Sequence, residues 1–187
     1  MTGCICNSPN LKRLKELKDE MNNCDVYCET GTLYGGSMIL QMMSEKPCHF
    51  IGIDLFTGYY GNSFDPHRKI DLTDHINIVK ENIDKNNPHN HTYHLIAGDS
   101  TDYRIANSVK VNIDYLFIDG DHSKHGVWGD FIAYKDKVSP EGLIVFDNYN
   151  DPSWPEVKPM VDNICESYSE DFKIKEIFGH CLVLEKN

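Results

Sequence analysis

Positive charge is scarce in this chain. Lys and Arg total 18 against 29 Asp and Glu, a formal net charge of −11. That balance argues against a nucleic-acid partner, since proteins that hold a phosphate backbone present a basic face. No apolar run approaches the ~18–20 residues of a membrane-spanning helix, so no membrane partner is expected. Internal repeats, low-complexity stretches and linkers are also missing. One domain over residues 1–187, with a sizeable core, is the expectation. The cysteines number seven, an odd count, and no signal peptide precedes them. Reduced thiols and a cytoplasmic location are expected. Cys4, Cys6, Cys24 and Cys28 follow a C-x-C…C-x3-C spacing that fits no common zinc pattern.

What is present is alternation. Asn10 to Met21 reads as an amphipathic helix with Leu11, Leu14, Leu17 and Met21 on one face, a helix that packs on or covers the rest. Short apolar strands are expected at Val26–Cys28, His49–Asp54, Thr92–Ala97, Tyr115–Asp119 and Leu143–Phe146. Helices are expected near Met38–Met43, Thr73–Asn86, Lys124–Lys137 and Glu156–Ser167, with a turn at Ser139–Gly142. Phe172–Phe178 and Cys181–Glu185 flank Gly179-His180 and read as a terminal hairpin. Strands alternating with helices, and apolar on both faces, imply a mostly parallel α/β sheet covered by helices on both sides.

In such sheets ligands bind at the carboxyl ends of the strands. Here those ends carry Glu29, Asp54, Gly98-Asp99, Asp119 and Asp147-Asn148. Any one of them could be a solvated loop carboxylate; five on one predicted rim point to a site. The first turn, ETGTLYGGS (Glu29 to Ser37), is neither G-x-G-x-x-G nor a Gly-Lys-Ser/Thr phosphate loop, and has no nearby lysine to neutralise phosphates. Its glycines allow close approach of a ligand to the main chain, and its acidic start suits a cation. Asp54 can accept from ribose hydroxyls, and Gly98-Asp99-Ser100 can border an adenine. A nucleoside with a positive charge and no phosphates fits this set: S-adenosylmethionine.

From about Val26 onward the chain resembles the class I S-adenosylmethionine-dependent methyltransferases. It is most similar to the metal-dependent O-methyltransferase group of macrocin-type sugar enzymes, with catechol and caffeoyl-CoA methyltransferases as more distant relatives. The segments carrying the resemblance are ETGTLYGGS, IGIDLFTGYYG (Ile51 to Gly61), AGDS (Ala97 to Ser100), FIDGDHSKHGV (Phe117 to Val127) and SPEGLIVFDNY (Ser139 to Tyr149). The resemblance implies a Rossmann-like, seven-stranded, mostly parallel sheet with a C-terminal antiparallel hairpin. Glu29, Gly31, Thr32, Gly35 and Ser37 would line the methionine part of the cofactor. Asp54 and Phe56 would lie at the ribose, and Asp99 and Ser100 at the adenine. Asp119, bordering the cofactor, would join Asp147 and Asn148 in holding a divalent metal, with His122 as general base. An all-oxygen donor set suits Mg²⁺ or Ca²⁺ rather than zinc, and a metal would lower the pKa of a bound hydroxyl.

The implied acceptor is a hydroxyl of a sugar, glycan or other small polyhydroxylated molecule. The site is either open or completed by a second subunit of a homodimer. Other readings accompany this one. His122 could cap its helix or ligate metal, and Asp121 could be a metal neighbour or a solvated turn residue. His125 reads as a helix-start residue, and His89, His91 and His94 as surface histidines. Tyr59, Tyr60 and Trp154 could wall the rim or pack loops. The rival functions are a metal-dependent phosphoesterase and a non-catalytic S-adenosylmethionine-binding protein of the same fold.

Overall fold

The computed structural model describes residues 9–57 and 74–187. Cys4, Cys6, Tyr59, Tyr60 and Thr73 lie outside the described residues. Seven strands form one sheet: β1 (Val26–Thr30), β2 (His49–Asp54), β3 (Thr92–Ala97), β4 (Ile113–Ile118), β5 (Val138–Phe146), β6 (Phe172–Phe178) and β7 (Cys181–Lys186). Their order is β3-β2-β1-β4-β5-β7-β6. The pairs from β3 to β5 are parallel, and β7 runs antiparallel to both β5 and β6. This is the Rossmann-like sheet with a C-terminal antiparallel hairpin that the sequence implied.

Among the described residues six α-helices flank it: α1 (Pro9–Glu20), α2 (Gly36–Gln41), α3 (His75–Lys85), α4 (Tyr103–Ala106), α5 (Lys124–Tyr134) and α6 (Val157–Ser167). Successive strand residues point to opposite faces. Tyr27, Phe50, Tyr115, Phe117, Val145 and Val183 face Leu14 and Leu17 of α1, Met38 of α2, and Val79 and Ile83 of α3. Cys28, Ile51, Leu116, Ile118 and Ile144 face Val127 and Phe131 of α5, and Val161 and Ile164 of α6. Helical spacing brings Val157, Val161 and Ile164 to one stripe of α6, which is buried. Each such side chain contributes about 1.5–3 kcal/mol by leaving water. The two-sided core therefore fixes the strand register.

Three local expectations differ. The Ser139–Gly142 turn is absorbed into β5 as a bulge, where pairing jumps from Ile113↔Val138 to Tyr115↔Leu143. Glu141 takes a left-handed φ of 62° there. Turn chemistry is satisfied inside the strand because Leu143–Phe146 is held between β4 and β7. The helix expected to run through Lys137 ends at Tyr134, and a 3-10 turn follows. The one-turn helix α4 was not anticipated; Asp102 caps it, accepting from Arg104 N at 2.8 Å. Among the described residues no helix is long and apolar enough to cross a membrane.

Candidate active site

Because β1 to β5 run parallel, their carboxyl ends share one rim. A cavity of about 560 Å³ opens there. Of the residues singled out in the sequence, Gly31, Asp54, Asp99, Ser100, Asp119, His122, Asp147 and Asn148 line it. Among the described residues none of its lining comes from α1, which packs on the sheet face.

The first side of the cavity is built on β1, β2 and β3. Gly31 N donates to Ile53 O at 2.8 Å, and its φ is 82°. A Cβ on Gly31 would sit 2.0 Å from the Asp119 carbonyl oxygen, so only glycine fits between the two strand ends. Asp54 accepts from Leu33 N at 2.8 Å on Oδ2 and from Phe56 N at 2.7 Å on Oδ1. Those bonds fix the carboxylate plane and leave further lone pairs for a ligand. Asp99 Oδ1 accepts from Thr101 N and Thr101 Oγ1 at 2.9 and 2.7 Å.

Glu29, Thr32, Gly35, Ser37 and Phe56 stand behind this wall rather than on it. Glu29 is fully buried, and its Oε2 accepts from Tyr27 Oη and Ser37 Oγ, each at 2.8 Å. Burial pushes its carboxyl up to about 7, against the opposing pull of these hydrogen bonds. Gly35, at φ 81°, precedes α2 and faces Val79 and Ile83. Phe56 is buried, with its ring 5.7 Å from that of His75.

The second side lies on β4 and β5. Asp119 N donates to Thr30 O and Asp147 N to Ile118 O, each at 3.1 Å, so the two aspartates follow neighbouring strand ends. Burial first, and the adjacent Asp147 carboxylate second, push Asp119 well above the carboxylate range. Asp147 Oδ1 accepts from Cys181 Sγ at 3.2 Å, and burial keeps that thiol protonated. Asn148 takes a left-handed φ of 56°, and its Nδ2 donates to Asp151 Oδ2 at 3.4 Å. That contact leaves the amide oxygen as the group's acceptor. Among the described residues no three His, Cys, Asp or Glu side chains gather as a metal-holding group. The anticipated set instead contains two carboxylates and one amide.

His122 Nε2 lies 3.2 Å from Asp119 Oδ1, and the imidazole packs on Trp154 with ring centroids 4.5 Å apart. Burial holds its pKa below the ordinary histidine value, although Asp147, Asp121 and Asp151 pull the other way. The ring is therefore mostly neutral near pH 7. Asp121 accepts from Ser123 N at 2.9 Å and Ser123 Oγ at 2.7 Å, shaping the turn into α5. Ser123 Oγ in turn accepts from Gly126 N at 3.1 Å as the helix cap. His125, expected only at a helix start, also reaches the cavity.

Sequence reasoning missed Asp130. It is buried on α5, and its Oδ2 accepts from Thr30 Oγ1 at 2.7 Å. Burial raises its carboxyl to about 6. A signal was there: Asp130 falls on the same helical stripe as Val127, Phe131 and Tyr134, where a carboxylate has no place unless paired.

Comparison with known proteins follows this geometry. A family model described as a methyltransferase domain matches residues 28–149. Uncharacterized protein R132 of Acanthamoeba polyphaga mimivirus is 36% identical over 144 residues, covering 74% of this chain. The chain spans 58% of that relative's length. Among solved structures, the O-methyltransferase NovP superposes with a TM-score of 0.73 at 18% identity, covering 95% of this chain and 79% of its own. CalS11, a TDP-rhamnose 3'-O-methyltransferase of calicheamicin biosynthesis, gives 0.67 at 13% identity, covering 94% and 78%. The MycE methyltransferase of the mycinamycin pathway, in complex with Mg and SAH, gives 0.58 at 18% identity, covering 96% and 49%. These structures share the fold, and the match over residues 28–149 shows that the chain belongs to the methyltransferase-domain family.

Proposed function

We propose that the chain transfers the methyl group of S-adenosylmethionine to a hydroxyl of a sugar, glycan or similar small polyhydroxylated acceptor, assisted by a divalent cation of the Mg²⁺ class. The observation that carries this reading is the two-sided cavity. Gly31, Asp54 and Asp99 stand on one side, with Asp119, His122, Asp147 and Asn148 on the other. NovP, CalS11 and MycE, named above as methyltransferases of this fold, support it by likeness.

Asp54 would hold the ribose hydroxyls on the lone pairs its backbone contacts leave free. Asp99 and Ser100 would border the adenine. Glu29, behind the Gly31 turn, would supply negative potential to the cationic end of the cofactor by giving up its proton. The donor chemistry of Asp119, Asp147 and Asn148 fits a hard cation, since all three offer oxygen. The crowding that lifts Asp119 is also what a dication would offset. The cofactor supplies an electrophilic methyl group and a bound Mg²⁺ the Lewis acidity that eases loss of the acceptor proton. His122 would take that proton, since burial favours the neutral ring that can accept it. Trp154 holds the ring plane, so the base does not have to be oriented during reaction.

Calorimetry with S-adenosylmethionine and S-adenosylhomocysteine, with and without Mg²⁺, tests the reading. Binding of both is expected, and binding of neither overturns it. A methyl-transfer assay over sugars and catechols, with Asp147→Ala and His122→Ala beside it, then separates an enzyme from a cofactor-binding protein.

A further inference from the structure

The opposite end of the sheet carries a second cluster. Cys24 precedes β1 and Cys48 precedes β2, and both thiols are buried in the core layer that holds α1. His49 N donates to Asp25 O at 2.7 Å, which holds the two strand starts side by side. The register that pairs Val26 with His49 puts Cys24 and Cys48 at adjacent strand starts, and both side chains enter the same core layer.

The third member is Lys18 of α1. It is fully buried, and its Nζ has no hydrogen-bond partner among the described residues. The Phe50 ring lies 5.4 Å from it. An ammonium taken out of water without an acceptor is costly, and an anion beside it relieves the cost. The Lys18 charge favours the thiolate at both cysteines, while Asp114 opposes it. Cys48 also has an approach. A cleft of about 320 Å³ between Asp25, Glu45, His49, His89 and His91 reaches it, and Cys24 is not part of that lining.

We propose that Cys24 and Cys48 form a redox-active dithiol, with Cys48 as the attacking thiol, Cys24 as the resolving thiol and Lys18 as the buried countercharge. The oxidant is a low-molecular-weight disulfide entering the cleft. Cys48 Sγ, as thiolate, attacks one sulfur of that disulfide. A mixed disulfide forms and one small thiolate leaves. Cys24 Sγ then attacks Cys48 Sγ, its proton passes to the second departing small thiolate, and the Cys24–Cys48 bond closes. The protein loses two electrons and two hydrogens, and the small disulfide becomes two thiols. The closed loop encloses β1, α2 and the turn from Glu29 to Ser37. This assignment does not depend on the methyltransferase reading.

The test is oxidation of the full chain by excess oxidised glutathione, followed by alkylation in denaturant and non-reducing peptide mapping. A Cys24–Cys48 linked peptide is expected, with Cys28, Cys165 and Cys181 recovered alkylated. The oxidised chain should melt several degrees higher, because the cross-link restricts the unfolded chain. Cys24→Ser should accumulate glutathione on Cys48, and Cys48→Ser should leave Cys24 unmodified. Lys18→Met should slow modification of Cys48 roughly tenfold, and Lys18→Arg should retain most of the rate. Recovery of Cys24 and Cys48 as free thiols from the oxidised wild-type chain overturns the proposal whatever the variants do. An unchanged rate in a folded Lys18→Met chain removes Lys18 from it.

Discussion

Gly31 and Asp119 touch backbone to backbone: a Cβ on Gly31 would lie 2.0 Å from the Asp119 carbonyl oxygen and 2.8 Å from Gly120 Cα. Two strand ends, one proposed for cofactor and one for metal, are thus packed without a side chain between them. Gly31 also holds a left-handed φ of 82°. Gly31→Ala therefore meets both strain and collision with main chain that cannot swing away. A loss of roughly 2–4 kcal/mol in urea unfolding is expected. A change under ~0.5 kcal/mol would mean that the strand ends can separate at little cost.

Glu29 makes stability depend on pH. Its carboxyl is raised from 4.5 to about 7 by burial. A raised carboxyl favours the fold in its protonated form, so its contribution is full below the unfolded value. It is lost as pH rises through about 7, a swing of about 3 kcal/mol. Wild type minus Glu29→Gln, followed by denaturation from pH 4 to 8, isolates this slope from that of Asp130. Equal slopes in the two proteins would show that burial does not raise the Glu29 carboxyl.

The same group couples to the proposed cofactor. A cation bound near Glu29 would favour its carboxylate, so binding of S-adenosylmethionine near pH 6 should release a proton. Calorimetry in two buffers of different ionisation enthalpy reads that release, and Glu29→Gln should reduce it.

His122→Asn should cut methyl transfer by about 10²–10⁴-fold, the usual range for a positioned base. The affinity for S-adenosylmethionine should move by less than about threefold, since His122 stands across the cavity from Gly31, Asp54 and Asp99. A parallel loss of cofactor binding would reassign His122 to a structural part.

Asp147→Asn separates charge from shape. In chelator it should raise the melting temperature, because Asp119 no longer faces a like charge. In Mg²⁺ the wild type should gain stability that the variant does not. A wild type indifferent to Mg²⁺ would remove the metal from the proposed mechanism.

Much of this architecture was legible because β1, β2, β4 and β5 are apolar on both faces, which only a doubly covered sheet can use. The rim followed from where those runs break into Glu29, Asp54, Asp119 and Asp147. Ser139–Gly142 misled because Ser, Pro and Gly signal a turn wherever they stand, whereas two flanking strands turned them into a bulge. Asp130 was hidden by its distance in sequence from Thr30, the residue that makes its burial tolerable.

The sequence by itself determined the main strands, their alternation with helices and the acidic rim, since periodicity and strand-end chemistry are local properties of the chain. Only the tertiary structure decided which rim residues face the cavity and which stand behind it, as Glu29 does. Only it brought His122 against Asp119 and Trp154, and Lys18 into the layer with Cys24 and Cys48. Those relations depend on register and burial, which arise when distant segments exclude water together.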